Sequence, residues 1–162
     1  MKEQRTPVEL VGLVVSLVLC FAAAGIGGWL TSLSINGWYR TLMMPSFAPP
    51  DWIFGPVWTA LYLMMAVAAW LVWRERRVRP ATVPLAIFAG QLILNIAWSG
   101  LFFALQSPGL AAGEVVLLWL AILATIIAFR RVSSFAATLL VPYLLWVSFA
   151  TVLNFAIWRL NT

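Results

Sequence analysis

Five long apolar stretches run through the 162-residue chain, each near the roughly 20 residues that carry an α-helix across the hydrocarbon core of a bilayer. Arginine, proline and glycine separate them. The stretches run approximately from Val8 to Leu30, Asp51 to Trp73, Ala81 to Leu105, Gly109 to Phe129 and Ser134 to Trp158. None shows the alternation, about ten residues long, of a membrane β-strand. In lipid every backbone N–H and C=O needs an internal partner, which unbroken apolar runs find as helices. The pattern predicts an all-α integral membrane protein, a single five-helix transmembrane bundle over residues 1–162.

The first run is too long and too glycine-rich at its end for a signal peptide, so it reads as a retained helix. Most connections are short, such as Gln106, Ser107 and Pro108, which makes neighbouring helices antiparallel. The exception is residues 31–50, which hold Trp38, Tyr39, Pro45, Phe47, Pro49 and Pro50. Aromatic residues and three prolines argue against disorder and predict an ordered lid. Pro142, about two turns inside the fifth run, removes a backbone donor and predicts a bend beside Trp146.

Composition strengthens this picture. The chain is 64% hydrophobic and 9% charged, against about half and a quarter in soluble domains. The net charge of +5 forms no stripe on a soluble face, which argues against nucleic acid. Lys2, Arg5, Arg74, Arg76, Arg77, Arg79, Arg130 and Arg131 fall on one side of the bundle, and only Arg40 and Arg159 on the other. The positive-inside rule then predicts a cytoplasmic N-terminus and an external C-terminus. With no histidine, Ser-His-Asp and Cys-His catalysis are excluded. Cys20 lies within the first run and reads as a small packing residue.

Ten tryptophans are more than interfacial belts explain. Trp29, Trp52, Trp73 and Trp158 fall at run ends and suit a belt. Trp58, Trp98 and Trp146 lie inside, where an indole N–H needs a partner that lipid lacks. Gln91, Asn95, Trp98 and Phe102 share a helical face, as do Phe54, Trp58 and Tyr62, and Trp146, Ala150 and Asn154. Spacing leaves two readings open, interhelical hydrogen bonds or a ligand cavity. Ser16, Cys20, Ala24 and Gly28, Ala86 with Gly90, and Gly100 with Ala104 form small-residue rows for close helix contacts, within the bundle or between copies. Glu114, about one and a half turns inside the fourth run, is expected to snorkel to the interface; an intramembrane carboxylate would suit a proton relay.

The segment Trp38, Tyr39, Leu42, Pro45, Pro49, Pro50, Phe54, Trp58, Tyr62, a W-Y-x-x-L-x-x-P-x-x-x-P-P pattern with its sequel, resembles the tryptophan-rich sensory protein and translocator protein family. The likeness continues through Asn95 and Trp98, then Pro142, Tyr143, Trp146, Ala150, Thr151, Leu153, Asn154, Trp158 and Arg159. It implies a multi-pass protein of a bacterial cell membrane, a homodimer among membrane lipids, with a pocket beneath the long first loop. The family's ligands are porphyrins, isoquinoline-carboxamide and benzodiazepine-type drugs and, in some members, cholesterol. The pocket positions carry over to Trp58, Asn95, Trp146 and Ala150, with Trp38, Tyr62, Trp98, Phe102 and Asn154 as neighbours. Phe155 replaces the tyrosine of the cholesterol motif, which argues against a sterol.

The resemblance thus implies a membrane protein binding planar apolar molecules, porphyrins or tetrapyrroles first, as sensor, carrier or scavenger. Porphyrin is then a ligand, and no cofactor or metal is expected. The alternatives are a light- and oxygen-dependent porphyrin-degrading enzyme, for which no acid-base pair is evident, and a small proton-coupled exporter using Glu114.

Overall fold

The computed structural model describes residues 5–162; Lys2 of the charge asymmetry lies outside them. The expected five spans form, as helices over Pro7–Ser32, Asp51–Arg77, Thr82–Ala104, Pro108–Arg130 and Ser134–Leu160 that are long and apolar enough to cross a membrane. The protein is a multi-pass, all-helical membrane protein. Its regular elements are α1 (Arg5–Ser32), α2 (Phe54–Arg74), α3 (Thr82–Ser99), α4 (Pro108–Arg130), α5 (Ser134–Leu139) and α6 (Val141–Leu160). Valines and leucines such as Leu10, Val14 and Val18 lie exposed along α1, a surface for acyl chains.

Local sequence explains the interruptions. The fifth span breaks at Leu140, between α5 and α6, because Pro142 has no N–H to continue the ladder. Ser133 caps α5, its Oγ accepting from the Ala136 amide at 3.3 Å. The third span does not finish as an α-helix. Gly100–Ala104 form a π turn, with the Leu105 amide donating to the Gly100 carbonyl at 2.9 Å. Asp51 starts a short 3-10 turn that has no side-chain cap bond, and its carboxylate pairs with Arg40 at 3.1 Å.

The helices close into a ring in the order α1, α2, α5 with α6, α4, α3 and back to α1. At the arginine end α2 packs closely, because its facing side chains are small: Ala66, Ala68 and Ala69 are buried. At the lid end α2 presents rings instead, and it meets α6 through Phe54 on Trp146 (5.7 Å between centroids) and Trp58 on Tyr143 (6.2 Å). One helix thus packs tightly at one end and is held off at the other.

Two tryptophans expected in the belt do more than anchor. The Trp73 ring lies against Gly12, where any Cβ would collide, with Arg76 3.3 Å above its centre. Trp158 covers Gly109, its Nε1 2.9 Å from where a Cβ would stand. Trp29 and Trp52 are widely exposed, as a belt requires. Of the small rows, Cys20 is fully buried within the bundle, whereas Ala86 and Gly90 are exposed.

Glu114 does not snorkel. It is 8% exposed, and neither carboxylate oxygen has a hydrogen-bond partner. The cause is its register: Ala111, Val115, Leu118 and Ile122 of the same face are all buried, so α4 turns the carboxyl inward.

Candidate ligand cavity

Between the splayed lid ends lies a cavity of about 430 Å³, within the range of roughly 300–1,000 Å³ usual for small-molecule sites. Of the nine residues singled out from the sequence, eight line it: Trp58 and Tyr62 from α2, Asn95 and Trp98 from α3, Phe102 from the π turn, and Trp146, Ala150 and Asn154 from α6. Trp38 does not. It stands edge-on to Phe102 at 5.9 Å and 66°, behind the wall, and Tyr39 takes the lining position.

Several polar groups around the cavity are bonded to one another. Tyr62 Oη donates to Asn95 Oδ1 at 2.6 Å, Asn95 Nδ2 donates to Tyr143 Oη at 2.7 Å, and Tyr143 Oη donates to Gln91 Oε1 at 2.8 Å. This chain ties α2, α3 and α6 together beneath the cavity. Trp98 Nε1 donates to Asn154 Oδ1 at 2.9 Å, and Asn154 Nδ2 to the Pro108 carbonyl at 2.8 Å. Asn95, Trp98 and Asn154 join helices and face the space.

Trp146 Nε1 is buried without a partner. The walls are aromatic: Trp98 stacks on Phe102 at 5.3 Å, Trp58 tilts against Tyr62 at 5.7 Å, and Trp146 packs on Phe149 at 5.5 Å. Such faces accept a flat apolar molecule.

The lid closes the end of the cavity. The ion pair of Arg40 with Asp51 sits at its rim, and Tyr39 packs on Phe103 at 5.5 Å. The Tyr39 phenol is pushed up to about 12, first by burial and then by Asp51, with Arg40 opposing, so it stays neutral. Asn161, at the end of the chain, holds the lid backbone at Met43 from both sides.

Sequence reasoning missed the α1 wall, formed by Phe21, Ala24, Gly28 and Thr31. Their spacing of three, four and three residues places them on one helical face. Ala24 and Gly28 stood out only as packing residues, because nothing in α1 marks a neighbour that keeps its distance.

A sequence model of the TspO/MBR family matches residues 16–159. The chain is 45% identical over 157 residues to the tryptophan-rich protein TspO of Chlorobaculum tepidum, covering 94% of this chain and 98% of that one. It is 41% identical over 145 residues to the translocator protein of Homo sapiens, with 86% of each chain covered. The tryptophan-rich sensory protein of Cereibacter sphaeroides is 37% identical over 145 residues, covering 90% of this chain and 88% of that one.

Proposed function

Because this chain belongs to the TspO/MBR family, we propose that it binds planar apolar molecules within the membrane, tetrapyrroles first, as a sensor, carrier or scavenger. The observation that carries this reading is the aromatic wall that Trp58, Trp98, Phe102 and Trp146 give a cavity of about 430 Å³. Rings supply stacking faces for a flat ligand. Binding rather than chemistry fits the site, because the Tyr62 hydroxyl and the Asn95 and Asn154 amides are engaged in hydrogen bonds between helices. Homodimerisation belongs to the same reading and is supported by the exposed Ala86 and Gly90 of α3, small residues that let helices of two copies approach.

Titration of protoporphyrin into the protein in nanodiscs, read by tryptophan quenching, tests it. Trp146→Ala should weaken affinity roughly tenfold, or about 1.4 kcal/mol. Ala150→Leu should weaken it by filling the space one turn away. Trp29→Phe, on an exposed tryptophan outside the cavity, should change nothing. Equal losses in Trp146→Ala and Trp29→Phe, with none in Ala150→Leu, would mean that porphyrin only partitions onto the belt.

Glu114 supports a second reading, a small proton-coupled exporter, because a buried carboxyl without partners is the kind of group that relays protons in membranes. Against it stands position, since Glu114 does not line the cavity. Porphyrin flux driven by a pH gradient in proteoliposomes, and lost in Glu114→Gln, separates the two.

A further inference from the structure

The cavity is not closed evenly. Its lining residues on α3, the π turn and α6 are all buried or half-buried, whereas Phe21 and Gly28 of α1 and Gly55 and Thr59 of α2 are exposed although they line it too. The exposed lining within the spans thus lies on two adjacent helices.

The course of α1 explains the gap. At the arginine end it is fastened to α2, where Trp70 Nε1 donates to the Glu9 carbonyl at 2.9 Å, Arg74 pairs with Glu9 at 3.5 Å and Trp73 lies on Gly12. Toward the lid it approaches α3 instead. A Cβ on Gly27 would stand 3.4 Å from Ser99 Oγ, and one on Gly100 would stand 3.8 Å from Leu30 Cδ1. Crossing from one neighbour to the other, α1 leaves α2 uncovered beside Phe21 and Gly28.

The gap is built for hydrocarbon. Thr59 Oγ donates to the Gly55 carbonyl at 2.8 Å, and Thr31 Oγ donates to the Gly27 carbonyl at 2.9 Å, so neither hydroxyl needs water. The end of the bundle facing water is shut by the Arg40–Asp51 pair, the Asn161 bonds to Met43 and the rings of Tyr39 and Phe103. We infer that the cavity fills sideways from the bilayer, through a doorway between α1 and α2, so that its ligand is a molecule dissolved among acyl chains rather than one arriving from water. The inference rests on the ligand-binding reading and adds the phase from which the ligand comes.

Glycine makes the test clean. A Cβ at Gly28 or at Gly55 meets nothing within 4 Å, so leucine enters the doorway without a backbone clash, and the same holds at Gly25, which is exposed but does not line the cavity. Trifluoromethyl-phenyldiazirine, an uncharged carbene precursor that dissolves in acyl chains, is added to nanodiscs and flashed at set times, and adducts are mapped by mass spectrometry. Adducts on Trp58 and Trp146 should accumulate about tenfold more slowly in Gly28→Leu with Gly55→Leu, and in Gly25→Leu as in the unmodified protein. Adducts on lipid-facing Val14 and Val18 should not change. A sulfonated diazirine confined to water should reach the cavity more slowly than the uncharged probe, and Asn161→Ala should not speed the uncharged one. Each leucine is also assayed singly, so that misfolding of the pair leaves a measurement. The doorway is refuted by cavity labelling that the leucines leave unchanged, by equal labelling from water, or by an unlabelled cavity in the unmodified protein. Because no porphyrin is used, failure to bind porphyrin would overturn the tetrapyrrole reading without touching this result.

Discussion

Asn161 grips the backbone of Met43 with both ends of its amide: Oδ1 accepts from the Met43 N–H at 2.9 Å, and Nδ2 donates to the Met43 carbonyl at 3.0 Å. The pair imitates a rung of β-ladder and joins the chain terminus to the middle of the lid, 118 residues away in sequence. Both bonds are exposed, so each is worth the low end of the usual range. Asn161→Ala should loosen the lid by about 1 kcal/mol, seen as about fivefold faster hydrogen exchange at the Met43 amide with the helices unaffected. Unchanged exchange there would mean that the proline-rich loop holds its shape without the terminus.

Asn95 is the hinge of the buried hydrogen-bond chain, accepting from Tyr62 and donating to Tyr143. Asn95→Leu preserves approximate bulk but strands the Tyr62 phenol, while Tyr143 keeps its bond to Gln91, at a cost of about 1–3 kcal/mol for a buried group left unpaired. Reversible unfolding in detergent should show that loss. Its effect on porphyrin affinity should then be compared at equal folded fraction, because part of any change comes from the scaffold. A variant as stable as the parent would show that α2, α3 and α6 are held by packing alone.

Glu114 stands in a buried face with two bare oxygens, an arrangement that costs stability. Glu114→Leu should raise stability by about 1 kcal/mol or more in the same unfolding assay, and Glu114→Gln by less, since an amide there is also unpaired. A fall in stability would reveal a hydrogen-bond partner for the carboxyl in the membrane.

Orientation is testable through the distribution of arginine. Reporter fusions after Arg77 and Arg131 should read cytoplasmic, and those after Gln106 and Thr162 external. A cytoplasmic reading at Thr162 would reverse the assignment.

The spans and the break near Pro142 could be read from period and polarity, because each leaves a mark, an apolar run or a missing donor; eight of the lining residues stood on shared helical faces, and the family resemblance assigned them to a pocket. Other features leave none. The π turn at Gly100–Ala104, which packs against α1 and α4, is announced by no motif. Glu114 was misjudged because distance from the span end says nothing about which way a helix turns. Trp38 belongs to the family pattern yet lies behind Phe102, since a motif records which residues recur together and not which of them faces the empty space.

The ring order bears on synthesis. α2 lies between α1 and α5, so its second flank stays bare until the fifth span has left the ribosome. The cavity is therefore among the last features to exist, and a chain truncated after Arg131 would contain four of the five spans without any of the α6 wall. Ligand present in the membrane during translation can meet the finished site only after α6 and Asn161, which fastens the lid, have both left the ribosome.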